Sequence, residues 1–168
     1  GSLTGINLEV RAGELVVVVG RIGSGKSSLL SALLGEMPRA RGEVAVRGRL
    51  GVVPQQPFIL HASVRENIVM DREWDEAHYR RVVAACCLEP DFAMLPSGDD
   101  TVIGERGLNL SGGQQARVGL ARAVYDRNDV VLLDDILASV DAHVAKSLLH
   151  GVVLGELRHR ARVLVTNQ

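Results

Sequence analysis

The sequence has no apolar run approaching the ~18 residues that a membrane-spanning helix needs, no excess of either charge, and almost no cysteine. Each absence excludes something. Without a long apolar run the 168 residues are themselves expected to be soluble, and a hydrophobic share of 46% is ordinary for a globular chain. With 19 basic and 20 acidic side chains the formal net charge is -1. No basic stripe of the kind that nucleic acid requires accompanies it, so nucleic acid is not an expected partner. The only cysteines, Cys86 and Cys87, are adjacent. A disulfide between neighbours is strained, which argues against an extracellular disulfide framework and fits a reducing compartment. His61, His78, His143, His150 and His159 show no spacing typical of a zinc site. The chain opens Gly1-Ser2-Leu3-Thr4 without Met or a signal core and stops at Gln168 after an apolar run. It therefore reads as one domain, residues 1–168, truncated at both ends.

What is present alternates between strand and helix patterns. Leu3, Ile6, Leu8 and Val10 fall near alternation ahead of a turn at Gly13-Glu14. Residues 15–19 form an unbroken, valine-rich run that predicts a strand buried in a parallel sheet. Residues 28–34 carry Leu29, Leu30, Leu33 and Leu34 at helical spacing, with Gly35 placed as a stop. Residues 43–47 and 49–53 predict two short strands turning at Gly48, a small antiparallel region beside the main sheet. Tyr79, Val82, Val83, Cys86 and Cys87 recur at helical spacing, so residues 75–88 predict an amphipathic helix capped by Asp75. It lies in a mainly helical insertion over about residues 63–107. There Trp74 and Tyr79 read as helix packing rather than base stacking, and both cysteines as buried small apolar residues. Residues 115–125 predict a helix, 130–133 a buried strand, 142–157 a helix weakened near Gly151 and Gly155, and 162–166 a last strand. The alternation implies an α/β fold with a parallel sheet.

Between the first strand and the first helix lies Gly20-Arg21-Ile22-Gly23-Ser24-Gly25-Lys26-Ser27, followed by Ser28. The eight residues match G-x-x-x-x-G-K-[ST] in its structural context. Glycines let successive backbone N–H groups face an anion, and the helix N-terminus adds roughly half a positive charge. Lys26 is placed for the β- and γ-phosphates of a nucleoside triphosphate and Ser27 for Mg²⁺. Together with the alternating elements this predicts a P-loop NTPase core. Asp134 ends the run Val130-Val131-Leu132-Leu133, where a carboxylate beside a phosphate loop can hold Mg²⁺; a strand followed by two aspartates also fits a helix cap.

Leu110-Ser111-Gly112-Gly113-Gln114 opens the helix at 115–125, giving a second glycine-rich helix start with a free hydroxyl at Ser111. With both motifs in this order the sequence is similar to the ATP-binding domains of ABC proteins, whose signature is LSGGQ and whose two domains sandwich ATP head to tail. The resemblance implies that Gln55, with Gln56 as its neighbouring candidate, is the glutamine that touches Mg²⁺ or the attacking water and senses the membrane domain. It implies that Ser139-Val140-Asp141 is the loop crossing to the partner domain, although Asp141 also fits a helix cap. The segment 101–107, with Glu105 and Arg106, resembles the one exporters use against their membrane domains.

Two departures carry weight. The family's general base is a glutamate after the metal aspartate, but Asp135 stands there, about 1.5 Å short. The family's histidine after the last strand is replaced by Asn167, whose amide donates a hydrogen bond but carries no charge. Ile136 also replaces a usual proline. These departures, with Pro54-Gln55-Gln56-Pro57-Phe58-Ile59-Leu60, Ser63-Val64-Arg65-Glu66-Asn67-Ile68 and Leu132-Leu133-Asp134-Asp135, resemble the first ATP-binding domain of the C subfamily. That subfamily holds multidrug-resistance-associated exporters, sulfonylurea receptors and a chloride channel. Implied by the resemblance are ATP and Mg²⁺ as cofactors, an adenine-stacking aromatic upstream of Gly1, further helices after Gln168, and a place at the cytoplasmic face of a membrane. It also implies two partners, a second ATP-binding domain and the transmembrane domains. A soluble ABC ATPase of DNA repair or chromosome maintenance is the alternative. The interval from Gln55 to the signature is too short for that class's long coiled coil and shows no sustained heptads. A regulatory nucleotide sensor of the same subfamily stays open because of Asp135 and Asn167.

Overall fold

The computed structural model describes residues 3–38, 41–105 and 108–167. Five-residue β1 (Leu15–Val19) and α1 (Lys26–Leu33) flank the glycine loop. They are followed by β2 (Leu50–Val53), β3 (Ala62–Ser63), α2 (Val64–Val69), α3 (Glu76–Ala85) and α4 (Glu89–Met94). After a 3₁₀ turn at Gly98–Asp100 come β4 (Val102–Ile103), α5 (Gly112–Tyr125), β5 (Val130–Asp134), α6 (Ala142–Leu148), a π-helical stretch Leu149–Glu156, and β6 (Ala161–Thr166). The main sheet is wholly parallel in the order β1-β6-β5-β2. A parallel strand is buried on both faces when helices cover both, and β6, in the sheet interior, is buried along all six residues. One face packs Leu132, Val163 and Val165 with Leu30 of α1. The other packs Val131, Leu133 and Leu164 with Val118, Val124, Val152 and Leu157. The expected α/β parallel architecture is present, but β1 is an edge strand whose Val17 and Val19 are exposed.

The antiparallel region lies elsewhere than predicted. Among the described residues 43–47 there is no strand, and residues 3–12 form none either. Gly48 does turn, with φ 91, but the chain after it joins the main sheet. The Arg49 N–H donates to the Asp129 carboxylate at 2.7 Å, and the N–H groups of Asp129 and Val130 donate to the Arg49 carbonyl at 2.9 and 3.1 Å. This anchors β2 in parallel register with β5, Leu50 opposite Val130. The antiparallel pair is instead β3 with β4.

Helix ends follow local chemistry. Asp75 caps α3 by accepting from the His78 N–H at 2.9 Å, as its position predicts. That helix stops at Ala85, and Cys87 takes φ 55. Cys86, at the C-cap, is buried, while Cys87 beyond it is only half-buried. Tyr79 is buried against Tyr125, with ring centroids 6.3 Å apart, whereas Trp74 stays half-exposed. The helix predicted over 142–157 gives way to π-helical turns at Leu149, and a Cβ at Gly151 would approach the Ala85 carbonyl to 3.1 Å. α5 packs on α2 and α3, and Gly119 in its middle meets Pro57: a Cβ there would lie 2.3 Å from the proline Cβ.

Replacing a helix-interior glycine by alanine ordinarily stabilises by roughly 0.5–1 kcal/mol. Gly119→Ala should instead destabilise this domain by about 1–3 kcal/mol, the usual cost of overpacking. Urea unfolding of the two proteins measures the sign.

Candidate nucleotide-binding site

Four helices begin on a side chain that accepts from their own first turn: Ser63 for α2, Asp75 for α3, Ser111 for α5 and Asp141 for α6. α1 does not. Its N-cap is Gly25 at φ 94, no side chain caps it, and its first turn holds no acid. A β-carbon is strained at that φ, which explains the glycine. First-turn N–H groups without an internal acceptor, at the positive end of the helix dipole, suit an anion. The Lys26 ammonium curls over the same loop, donating to the carbonyls of Gly20 at 2.5 Å and Arg21 at 2.8 Å. The loop is wound tightly enough that a Cβ on Gly20 would lie 2.7 Å from the Ser24 hydroxyl.

Because all four main-sheet strands run parallel, their C-terminal ends open on one side, where ligands of such sheets bind. The loop after β1 meets Gln55 after β2, Asp134 and Asp135 at the end of β5, and Asn167 after β6. With Ile22, Gly23, Gly25, Lys26, Ser27 and Ser28 they line one cleft of about 320 Å³. Gln56 is not among the lining residues. The cleft thus sets one ammonium, two serines and an uncapped helix start opposite the Asp134 carboxylate. Among the described residues no group of three or more His, Cys, Asp or Glu could hold a metal alone. Mg²⁺ needs no such cage, being held by one or two carboxylates together with substrate phosphates. Ser27, Gln55 and Asp134 fit that requirement, and the loop fits a triphosphate.

The two departures from the family pattern are bonded to each other. Asn167 Nδ2 donates to Asp135 Oδ2 at 2.6 Å, while its backbone N–H and the Thr166 hydroxyl lie 3.4 Å from Oδ1. Asp135 has φ 48, its N–H donates to the Val165 carbonyl at 2.8 Å, and it is 6% exposed. The carboxylate at the general-base position is therefore engaged by the amide at the histidine position. Each residue was visible in the sequence; their bond was not.

The signature is the first turn of α5 rather than a loop before it. The Ser111 hydroxyl, expected to be free, accepts from the Gln114 N–H at 3.3 Å, and Gln114 Oε1 accepts from the Ser111 N–H at 2.8 Å. This capping box takes up two of the four terminal donors. The N–H groups of Gly112 and Gly113 donate to no such partner and remain available among the described residues. Leu110 precedes the turn, its carbonyl accepting from Gln115 Nε2 at 2.9 Å. A Cβ at Gly113 would lie 2.9 Å from the Ser139 carbonyl and 3.7 Å from the Val140 side chain, while one at Gly112 meets nothing within 4 Å. The signature thus abuts Ser139-Val140. Asp141 caps α6, accepting from the N–H groups of His143 and Val144. The Val144 bond is the main influence holding its carboxyl below the usual range. Glu105 follows β4, and Arg106 and Gly107 lie outside the described residues.

Sequence reasoning passed over Arg122, which has no carboxylate partner among the described residues. Burial depresses its pKa. It donates to the carbonyls of Asn67 at 2.7 Å and Phe58 at 3.0 Å and lies 4.0 Å from the Phe58 ring centroid. α5 thereby grips the chain just after Gln55. The run of residues 54–60 was noted only as a pattern, and nothing in it signals this contact.

A strand, a glycine turn and an uncapped helix at the open edge of a parallel sheet define a P-loop nucleoside-triphosphate-binding domain. Residues 3–138 match the family model described as ABC transporter. The chain is 51% identical over 168 residues to multidrug resistance protein mrp-7 of Caenorhabditis elegans, covering 99% of this chain and 11% of that protein. It is 49% identical over 164 residues to ATP-binding cassette sub-family C member 2 of Mus musculus, covering 96% and 11%. With ABC transporter C family member 8 of Dictyostelium discoideum the identity is 48% over 165 residues, covering 96% and 10%. The chain belongs to the ABC transporter family, as an ATP-binding domain of the multidrug-resistance-associated type, and spans about a tenth of the length of these relatives.

Lys26→Ala should weaken ATP binding by roughly 10- to 100-fold, the range for a hydrogen bond to a charged group. Titration calorimetry with ATP reads it, and equal affinities would remove Lys26 from the phosphates.

Proposed function

We propose that this domain binds Mg-ATP in the cleft below Lys26 and pairs head to tail with a second ATP-binding domain, closing and opening to drive transmembrane domains in substrate export at the cytoplasmic face of a membrane. The convergence of Lys26, Ser27, Gln55 and Asp134 in one cleft carries the reading. No helix among the described residues is long and apolar enough to cross a membrane, so the membrane segments would lie elsewhere in the protein. Exposed Phe58 and Leu60, just after Gln55, offer apolar surface to such a partner. ATP would be gripped through its phosphates by Gly23, Gly25, Lys26 and the α1 N-terminus, and Mg²⁺ by Ser27, Asp134 and Gln55.

The domain's own site is slow in this reading. Asp135 is short, and Asn167 already occupies one of its oxygens. The signature does not line the cleft, which supports its acting on the partner's ATP. There the free N–H groups of Gly112 and Gly113 would stabilise charge developing on the transferred phosphoryl group. The bond between Asp135 and Asn167 equally favours a second reading, a regulatory nucleotide sensor that holds ATP without turning it over.

Two experiments on the full-length protein test these assignments. Because Asp135 and Asn167 are bonded, they must be changed together: Asp135→Glu with Asn167→His should raise turnover at this site by up to about 10²-fold. Nucleotide trapping at single sites measures it, and fast wild-type hydrolysis unaffected by the pair would refute a slow site. Gly112→Asp, which meets no neighbour, is a cleaner probe of the signature than Gly113→Asp, which would push on Ser139. It should lower turnover at the partner site by about 10²–10³ and leave ATP binding at Lys26 intact. Loss of binding at Lys26 with full partner-site turnover would contradict the head-to-tail pairing.

A further inference from the structure

Among the described residues there are two capping boxes, and of the two side chains that form each, only the second differs. In α2 the reciprocal partner of Ser63 is Glu66, whose carboxylate accepts from the Ser63 N–H at 2.8 Å. In α5 the partner of Ser111 is Gln114. Either residue type satisfies a capping box, so the box alone does not require an amide in the signature.

The difference lies behind the glutamine. Gln114 Nε2 donates to Asp91 Oδ1, on α4, at 2.9 Å. Asp91 is also ion-paired with Arg117 of α5, whose second nitrogen lies 3.2 Å from Oδ1. Arg117 donates further to the Cys87 carbonyl at 2.5 Å, which ties the end of α3 into the same group. The side chains of Asp91 and Arg117 are only 16% and 13% exposed, so charge imbalance there is costly. An amide has two orientations related by a flip. With Asp91 charged, only one puts a donor toward its carboxylate and an oxygen toward the Ser111 N–H. The flipped amide would face acceptor with acceptor and donor with donor. A glutamate at 114 would set two carboxylates against each other.

We propose that Asp91 is a positioning residue for the signature. Its carboxylate, held by Arg117, selects the orientation of the Gln114 amide, and through the capping box fixes the direction in which the Gly112 and Gly113 N–H groups point. That the donors serve the partner's ATP rests on the reading above. In consequence the chain at 110–114 is set from the helical segment containing α4, and displacement of α4 withdraws the acceptor that holds the capping amide.

A charge exchange in the full-length protein tests this. Gln114→Glu gives the group one charge too many and negative, and Asp91→Asn one too many and positive; each should lower partner-site ATP turnover by about tenfold, the middle of the range for coupled contacts. The double variant restores the charge balance, lets the asparagine amide face the new carboxylate and keeps a capping box, so turnover should return to within about threefold of wild type. The thermal unfolding midpoint should show the same crossed pattern without nucleotide, each single variant lower and the double recovered. Additive losses in the double variant, or an unaffected Gln114→Glu, overturn the proposal, as does a requirement for the Gln114 amide itself, which leaves the double variant inactive. The signature reading is judged separately by Gly112→Asp. Should that variant keep full turnover, the crossed thermal pattern alone decides whether Asp91 orients the amide.

Discussion

The pairing of β6 between β1 and β5 sets the relative height of everything that faces the cleft. Val19 lies opposite Thr166, and Asp134 opposite Val165. One strand therefore brings the start of the glycine loop, Asp134 and Asn167 to the same level. Asp135 leaves β5 with a left-handed turn but keeps a bond to the Val165 carbonyl, so its carboxylate points back toward Asn167. Shifting β6 by one residue would turn its buried side chains to opposite faces and separate the pair. Arg162, buried within β6, resists such a shift by donating to the carbonyls of Gly13 at 2.7 Å and Val153 at 2.5 Å.

Helix N-termini then divide the labour. A capped start is satisfied internally, and an uncapped one leaves its N–H groups to water or a ligand. α1 is left bare at the cleft beside Lys26, and α5 is half-capped, its box satisfying Ser111 and Gln114 while Gly112 and Gly113 stay open. The same distinction separates the two glycine-rich segments chemically: Lys26 adds a charge at the first, and among the described residues no basic side chain bonds the second, where Ser111 and Gln114 bond each other and Gln114 bonds Asp91.

Features written in contiguous residues were legible in the sequence: the glycine loop, the signature, the Asp75 cap, the weak point at Gly151 and Gly155. Their physics is local. Failures came where a distant residue decided. Residues 49–53 look like half of a hairpin because Gly48 turns, but Asp129 and Asn128 compete for that chain: Arg49 bonds Asp129, and the place of a Gly51 Cβ is filled by the Asn128 amide at 2.2 Å. The half-exposed edge position of β1 was hidden by its valine run, which matches a central strand equally well. At the site, spacing could nominate Asp135 and Asn167 separately, but only the sheet register shows that they meet. Nothing in the spacing of Asp91, Gln114 and Arg117 connects them.

The strand order also has a consequence for biosynthesis. Of the described elements β1 is translated first, yet its single neighbour among them in the sheet is β6, the last of them. Contacts this remote in sequence form slowly, and exposed strand edges waiting for a partner are prone to misassembly. The glycine loop is thus translated well before the strand that supports it, and of the described elements β6 is the one whose arrival completes the sheet beneath the loop.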